Sequence, residues 1–532
     1  MDPITESALQ SAPRLRQPRA LAAWQTYLLA FVASACTLII ELVAGRIMAP
    51  LIGVSLYTWT SIIVVVLAGI SLGNYLGGKL ADRFASRRML GILFLVSGLA
   101  ALSVLYTASA LASYKGPSTL PLVLRIVALT AAIFFLPSCL LGTISPLLVK
   151  LTLRDLNRSG DIVGKIYAVS TAGSILGTFA TGFFLVSFFG TRTIILGVSL
   201  LIFLLAIVFG DWTVRGRGGS RIVSLLLLLA TGLGGYAIAS RGALASNCLK
   251  ETNYYCIKVY EEMVQDHPVK VLVLDHLVHS YNSLENPQHL VYGYEFMYAG
   301  LTEYAAQRRP PGGLRTLFIG GGGYTFPRYI EARYPGSVID VIEIDPEVTQ
   351  TAEEYLGLDP KGGIRSINFD ARLAIEEMLG DRVYDLVLGD AFHGYSVPYH
   401  LTTKEFNDRI KAHLAPGGIY MLNIIDGRTG DFARSTVHTL RATFPYVAAL
   451  PVIQNYADVV RNTWVLIGSD RPIDQTAHEN AALVTPRPDF AAHLWDGARL
   501  DEFMARGRAI LLTDEFAPVD NLLAPVFKES GF

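Results

Sequence analysis

An N-terminal bundle of membrane-spanning α-helices followed by a doubly wound α/β domain is the architecture this sequence predicts, and three observations carry it. Up to about Ser240 the chain consists of long apolar runs with sparse charge, whereas from Arg241 onward it has the polar balance and motif spacing of a globular α/β domain. Of the 532 residues, 52% are hydrophobic and only 17% charged, too apolar for a soluble enzyme throughout. The third observation is the stretch Leu317-Phe318-Ile319-Gly320-Gly321-Gly322-Gly323-Tyr324, followed about twenty residues later by Val341-Ile342-Glu343-Ile344-Asp345-Pro346. A buried apolar strand there runs into glycines whose missing Cβ atoms let the backbone approach a ligand. A second strand then ends in a carboxylate able to hold two ribose hydroxyls, which together read as a nucleoside-binding turn. A net charge of -1 supplies no basic field for nucleic acid and argues against that partner.

Taken in order, residues 1–22 read as a cytoplasmic tail, 23–240 as a transmembrane domain, 241–310 as a β-hairpin subdomain and 311–532 as the nucleoside-binding domain. Seven segments are long enough to cross about 30 Å of hydrocarbon, which takes about 20 residues each. They lie near Trp24 to Met48, Tyr57 to Leu80, Met89 to Leu111, Leu122 to Val149, Ile166 to Phe188, Ile194 to Phe209 and Ile222 to Ala239. The first run is too long, and lacks the small-residue cleavage site, for a removable signal peptide.

Orientation follows from the basic residues in short loops. Arg14, Arg16 and Arg19 precede the first span; Lys79, Arg83, Arg87 and Arg88 follow the second; Lys150, Arg154, Arg158 and Lys165 follow the fourth; Arg215, Arg217 and Arg221 follow the sixth. The alternate loops carry little beyond Lys115, Arg125 and Arg192. The N-terminus is therefore expected in the cytoplasm and, after seven spans, the C-terminal domain outside, as in a multi-pass protein of a bacterial-type inner (plasma) membrane. The lipid bilayer is thus an expected partner.

Within the first span stand Glu41 and Arg46, and Asn74 interrupts the second. Charge at membrane depth is costly, so Glu41 either pairs with Arg46 or another helix and fixes the packing, or marks a polar pathway or ligand site. Small residues recur in Gly69-Ile70-Ser71-Leu72-Gly73, Gly77-Gly78 and Ala172-Gly173-Ser174-Ile175-Leu176-Gly177, a pattern expected to bring helices into close contact. Cys36 and Cys139 lie in apolar runs and read as small buried hydrophobes. Cys248 and Cys256 flank a segment that a short hairpin could bridge; they read as a disulfide if the compartment is oxidising and as two thiols otherwise.

In the second half, short β-rich runs alternate with helical stretches, the pattern of βαβ units. Val269 to Leu274 reads as a preceding hairpin strand. Thr316 to Ile319, Val338 to Ile342, Ile364 to Ile367, Asp385 to Leu388 and Gly418 to Leu422 read as the sheet, with Pro346 to Leu356 and Lys404 to His413 as crossover helices.

An ordered series of motifs over about Glu251 to Asn423 resembles the spermidine synthases, or aminopropyltransferases, which share the Rossmann-type fold of nucleoside-dependent methyltransferases. Thr252-Asn253-Tyr254-Tyr255-Cys256-Ile257 is similar to the family's N-terminal strand motif, and Leu274-Asp275-His276-Leu277-Val278-His279-Ser280 to its second hairpin. Gly320, Gly321 and Gly322 fall on the glycine turn, Glu343 on the ribose-binding carboxylate, and Asp370-Ala371-Arg372 on the loop whose aspartate contacts the adenine amine. Tyr384-Asp385-Leu386-Val387-Leu388-Gly389-Asp390 matches the strand that ends in the catalytic aspartate. Leu401-Thr402-Thr403-Lys404-Glu405-Phe406 and Leu414-Ala415-Pro416-Gly417-Gly418 follow. The whole chain also resembles a membrane-fused group of the family, with Leu512-Thr513-Asp514-Glu515-Phe516-Ala517-Pro518-Val519-Asp520-Asn521 similar to its terminal motif.

The resemblance implies attack by a neutral amine on the aminopropyl group of decarboxylated S-adenosylmethionine, or a similar nucleoside, with Asp390 as base, no metal, and a homodimer. The acceptor side departs from the pattern. Gly323, followed by Tyr324, stands where the family has an aspartate; His393 replaces a second aspartate, Tyr255 a glutamine and His279 another. That leaves Asp390, with Glu295 or Glu515, as acceptor carboxylates, too few for both ends of an ordinary diamine. Catalytic candidates are therefore Asp390, His393 and Tyr255, and His279 joins the donor side. Tyr254, Tyr294, Glu295, Tyr324 and Tyr395 are acceptor-side candidates, as cleft aromatics or as packing residues. His276, His279 and His393 lack helical metal-ligand spacing, so no metal is expected. The expected function is a membrane-bound aminopropyltransferase-like enzyme with an altered small-molecule amine acceptor. The alternatives are a synthase-fold enzyme acting on another extracytoplasmic substrate, such as a glycan or lipid-linked group, or a non-enzymatic polyamine- or nucleoside-sensing transporter.

Overall fold

The computed structural model describes residues 21–112, 121–153, 156–212, 247–310, 312–392, 394 and 396–529. The backbone clusters into two compact units, with the main changeover of the chain between Ala245 and Ser246. In the helical unit, six helices are long and apolar enough to cross a membrane: Ala23–Ile52, Leu56–Phe84, Arg87–Leu111, Val123–Thr152, Ser159–Phe188 and Thr191–Phe209. They coincide with six of the expected spans; the seventh, Ile222 to Ala239, lies outside the described residues.

Helices α1 (Ala23–Ile52), α2 (Leu56–Phe84) and α3 (Arg87–Ala112) are continuous. The fourth span is broken at Thr143 into α4 (Leu122–Gly142) and α5 (Ile144–Thr152). Pro146 follows the break and has no N–H to offer the Gly142 carbonyl, so the helical ladder cannot run through unchanged. α6 (Ser159–Ala180) continues through a π turn to Phe188, and α7 (Thr191–Phe209) follows. The glycines let these backbones touch. A Cβ on Gly73 or Gly173 would overlap the carbonyl oxygens of Cys139 and Phe31, and one on Gly77 or Gly177 would lie 2.6 Å from Thr143 O or 2.7 Å from Ala35 O. The small residues thus serve close helix contact, as their spacing predicts.

The α/β unit opens with an antiparallel sheet of β1 (Lys250–Glu251), β2 (Cys256–Val264), β3 (His267–Leu274) and β4 (Leu277–Asn282), and α8 (Gly293–Ala306) follows it. The main sheet alternates strands and helices: β5 (Arg315–Ile319), α9 (Thr325–Arg333), β6 (Val338–Glu343), α10 (Pro346–Tyr355), β7 (Ile364–Asn368), α11 (Ala371–Glu377), β8 (Tyr384–Gly389), α12 (Lys404–Ala412) and β9 (Leu414–Asp426). α13 (Asp431–Arg441), β10 (Tyr446–Pro451) and β11 (Asn462–Ser469) complete it. Strand order is β10-β11-β9-β8-β5-β6-β7, parallel from β9 to β7 and antiparallel at β10 and β11. Leu317, Val341, Leu386, Val387 and Leu388 are fully buried, the mark of parallel strands covered on both faces. Order reverses between β5 and β8, so the ends of β5, β6 and β8 converge on one crevice, where such folds bind ligands.

Cys248 and Cys256 are joined in a disulfide, with Cα atoms 5.3 Å apart, closing the segment that carries Thr252 to Tyr255. Closing a loop this short contributes on the order of 2 kcal/mol. Cys248→Ser is expected to lower the melting midpoint of the α/β unit by several degrees in non-reducing buffer, and adding a thiol reductant should erase the difference from wild type. Equal midpoints in non-reducing buffer would refute a stabilising role for the bridge.

Candidate active site

Gly320 leaves β5 at φ +96° and donates its N–H to Ile342 O at 2.8 Å; a Cβ there would collide with the Asp390 carbonyl. Only glycine fits that crossing of β5, β6 and β8. Gly322 also has positive φ, at +48°, and a Cβ on it would meet nothing within 4 Å, so the turn presents bare backbone to open space. Glu343, the last residue of β6, is buried and closes the turn. Its Oε2 accepts from the N–H groups of Gly321 (2.8 Å) and Gly322 (3.1 Å), and its Oε1 from Asp345 N–H (3.0 Å). Burial raises its pKa, against the opposing pull of those three donors.

Asp345 extends this unit. Its Oδ1 caps α10 through Glu347 N–H, and its Oδ2 accepts from Thr252 Oγ1 at 2.5 Å. Thr252 Oγ1 in turn accepts from the N–H groups of Tyr254 (3.0 Å) and Tyr255 (2.9 Å). Tyr254 therefore sits among carboxylates: burial, then Asp345, Asp370 and Glu343, raise its pKa. Tyr255 is buried, donates to Phe392 O at 3.1 Å, and has its ring 6.4 Å from that of His279. Asp370 caps α11, its Oδ1 accepting from Arg372 and Leu373 N–H while its Oδ2 lies 3.2 Å from His400 Nε2. Ala371 is the first residue of that helix and buried. Arg372 pairs bidentately with Asp514, which ties the chain's terminal motif to the Asp370 turn.

Asp390 follows β8, its N–H held by Ile319 O at 2.8 Å. Its Oδ1 accepts from Asn423 Nδ2 at 2.8 Å, and the Tyr294 hydroxyl also donates to the carboxylate. Burial nevertheless pushes the carboxyl up to about 6. A cleft opens beside it, lined by the turn from Gly320 to Gly323 and by His279, Tyr292, Tyr294, Glu295 and Arg461. Glu295 accepts from the N–H groups of Val291 (3.2 Å) and Tyr292 (3.0 Å) and so caps α8. Burial, with repulsion from Asp390, pushes it up to about 8. The Tyr292 and Tyr294 rings stack at 5.5 Å.

Glu343, Gly320, Gly321, Gly322, Asp390, His279, Tyr294 and Glu295 thus converge on the crevice, and Tyr254, Tyr255 and Asp370 flank it. Tyr324 does not. It takes a left-handed conformation (φ +56°), turns into the core, and bonds through its hydroxyl to Thr349 (2.9 Å) and Ser366 (3.1 Å), so its expected place beside an acceptor is corrected to a brace beneath the glycine turn. Glu515 is exposed and is not among the lining residues. His393 and Tyr395 lie outside the described residues, and Glu41 and Arg46 belong to α1. Sequence reasoning gave no role to Asn423, Arg461 and His400, and quoted Thr252 and Asp345 only as members of motifs. Asn423 gave a signal as a polar residue directly after the apolar run Gly418 to Leu422.

Gly323 is tightly packed. A Cβ there would overlap Ser280 Oγ and lie 2.6 Å from Asn282 Oδ1, while Asn282 Nδ2 donates to Gly323 O at 2.6 Å. Neutral side chains of β4 already occupy the space an aspartate would need. Gly323→Asp is therefore expected to destabilise the α/β unit by about 2 kcal/mol through overpacking and burial of an unpaired carboxylate. An unchanged denaturation midpoint would show that the space is open.

No protein-family model matches the chain. A polyamine aminopropyltransferase of Vibrio vulnificus is 32% identical over 213 residues, covering 39% of this chain and 69% of that protein. An eEF1A lysine and N-terminal methyltransferase of Bos taurus is 29% identical over 143 residues, 25% of this chain but only 20% of that protein. Among solved structures, a probable spermidine synthase from Corynebacterium glutamicum superposes with a TM-score of 0.43 at 23% identity, over 48% of this chain and 93% of that one. On the match that spans more than two thirds of the Vibrio protein, this chain belongs to the polyamine aminopropyltransferase (spermidine synthase) family, and its six apolar N-terminal helices fit the membrane-fused group.

Proposed function

We propose that the α/β unit transfers an alkyl group from a nucleoside sulfonium donor to the nitrogen of a small amine, with Asp390 as the proton acceptor. One observation carries the reading: a half-buried carboxylate, its pKa raised to about 6, faces the same cleft as the glycine turn that Glu343 holds. The residues fit such a donor, because Gly322 exposes backbone without a side chain and Glu343 keeps a lone pair of Oε1 beyond its three amides. Glu343 would hold the ribose and Asp370 the base. Decarboxylated S-adenosylmethionine, or S-adenosylmethionine itself, supplies a sulfonium carbon open to displacement. In the balanced step a C–N bond forms, the C–S bond breaks with its electrons leaving on the thioether, and the amine proton passes to Asp390.

Asn423 and Tyr294 fix the orientation of that carboxylate, so that it meets the amine without rearrangement. At the acceptor end, Gly323 brings no charge, burial disfavours the charge of Glu295, and Arg461 is a cationic side chain. An amine with a second ammonium at its far end is disfavoured there, and one whose far end is neutral or anionic is favoured. We place the unit outside the cytoplasm, a reading supported by the disulfide, since such bridges persist in oxidising compartments.

Full-chain protein given either donor with a panel of monoamines and diamines should release methylthioadenosine or S-adenosylhomocysteine, read by mass spectrometry. Neither product, together with no saturable methylthioadenosine binding, would sink the proposal. The specificity constant kcat/KM should rise with pH through about 6, as Asp390 loses its proton. Asp390→Asn should cut turnover by about 10² to 10⁴ and abolish that rise.

The same carboxyl sets a stability trend. Its folded pKa of about 6 exceeds the unfolded value of about 3.9, so below pH ~4 it contributes nothing, and as pH rises through 6 the folded state loses roughly 2–3 kcal/mol. Asp390→Asn should therefore raise the melting midpoint at pH 8 and leave it unchanged at pH 4.

A further inference from the structure

Within the helical unit, residues of α1, α2, α4, α5 and α6 line a cleft whose walls mix apolar and polar side chains. Ser34 and Thr37 from α1, Asn74 from α2, Ser145 from α5, and Ser170 and Ser174 from α6 line it, with Tyr167 at its edge. Counted at 1.5 Å per residue, the α1 positions lie roughly 15–20 Å along the helix from Ala23, well inside the hydrocarbon of any membrane this helix crosses. Such a concentration of hydroxyls and an amide at that depth is unfavourable unless something answers their hydrogen bonds; Thr37 Oγ1 is answered by Ala33 O of its own helix at 2.9 Å. Ser170 Oγ is buried and has no hydrogen-bond partner among the described residues. Gly142, whose carbonyl loses its helical partner because Pro146 has no N–H, also lines the cleft. A broken helix offering a carbonyl to a cavity is a recurrent way of binding ions and polar substrates inside membranes.

The chemistry of the walls narrows the ligand. Neither lysine, arginine nor histidine is among the lining residues, so an anion would find no counter-charge. The freed carbonyl can only accept, and each hydroxyl and the amide oxygen can also accept. Glu41 is the next polar residue along the α1 face of Ser34 and Thr37, seven and four positions on, one or two helical turns away. Acceptors surrounding a cavity of about 180 Å³, more than a bare ion needs, with a carboxylate one turn further on, suit a small molecule that donates hydrogen bonds and carries positive charge. We infer that the helical bundle holds a binding site for a small organic ammonium, separate from the cleft at Asp390.

The test uses full-chain protein in nanodiscs, carrying Asp390→Asn so that the other cleft lacks its base, and radiolabelled propylammonium as probe. Saturable binding is expected, competed by unlabelled propylammonium and not by equal concentrations of glycerol or acetate. Ser170→Ala removes only a hydroxyl that has no hydrogen-bond partner among the described residues, so its melting midpoint should stay unchanged while affinity falls about tenfold. Asn74→Leu should weaken binding at least as much. No saturable binding, equal competition by glycerol or acetate, or unchanged affinity in Ser170→Ala would each overturn the inference.

Discussion

One buried carboxylate organises the catalytic half of this protein. Glu343 collects three backbone N–H groups, two from the turn after β5 and one from the start of α10, and its removal would leave all three without a partner in a water-poor crevice. Because one oxygen takes both glycine amides, the turn cannot open without losing charge-assisted bonds. The chain of contacts continues through Asp345 to Thr252, whose hydroxyl holds Tyr254 and Tyr255 in place. A single hydrogen-bonded train thus runs from the small antiparallel sheet into the main sheet. The wall that a nucleoside would meet is therefore set by the fold before any ligand arrives.

Around that frame the site stores ionisable groups in surroundings that disfavour their charge. Glu295 and Asp426 are buried and Asp390 is half-buried, and desolvation pushes them up to about 8, 7 and 6. Only Asp390 combines an open cleft with side-chain donors that orient it; Glu295 and Asp426 are engaged by backbone amides at element ends. The same burial that makes Asp390 a better base near neutral pH makes the folded state less stable there, the trade expected at a reactive position.

Much of this was legible in the sequence, for identifiable reasons. Parallel strands buried on both faces leave continuous apolar runs, and β5, β6, β7 and β8 fall within a residue or two of where those runs put them. β9 is longer than its apolar run because Pro416, Gly417 and Gly418 look like a turn and yet lie within the strand. The antiparallel pair β10 and β11 carries no motif and escaped notice. Glu343 and Asp390 were readable because strand ends are fixed by local spacing, whereas Asn423 and Arg461 reach the cleft from 33 and 71 positions beyond Asp390, a proximity that only the folded topology creates. Tyr324 was misread because a bulky residue in left-handed backbone is rare, and the conformation that turns it inward has no signature in the sequence.

The asymmetry of the two sides of the cleft follows from packing. On the nucleoside side, each functional group is also a structural one: Glu343 closes a turn, Asp345 and Asp370 cap helices, and the glycines permit strands to cross. Altering them costs the fold itself. On the proposed acceptor side, Gly323 and its neighbours Ser280 and Asn282 form a small neutral contact between β4 and the turn, and Arg461 lines the cleft. A larger side chain at Gly323 would disturb that contact as well as reshape the cleft. Under the proposed function, the donor cradle and the base are thus built into the fold, while the neutral contact at Gly323 shapes the side that would admit the amine.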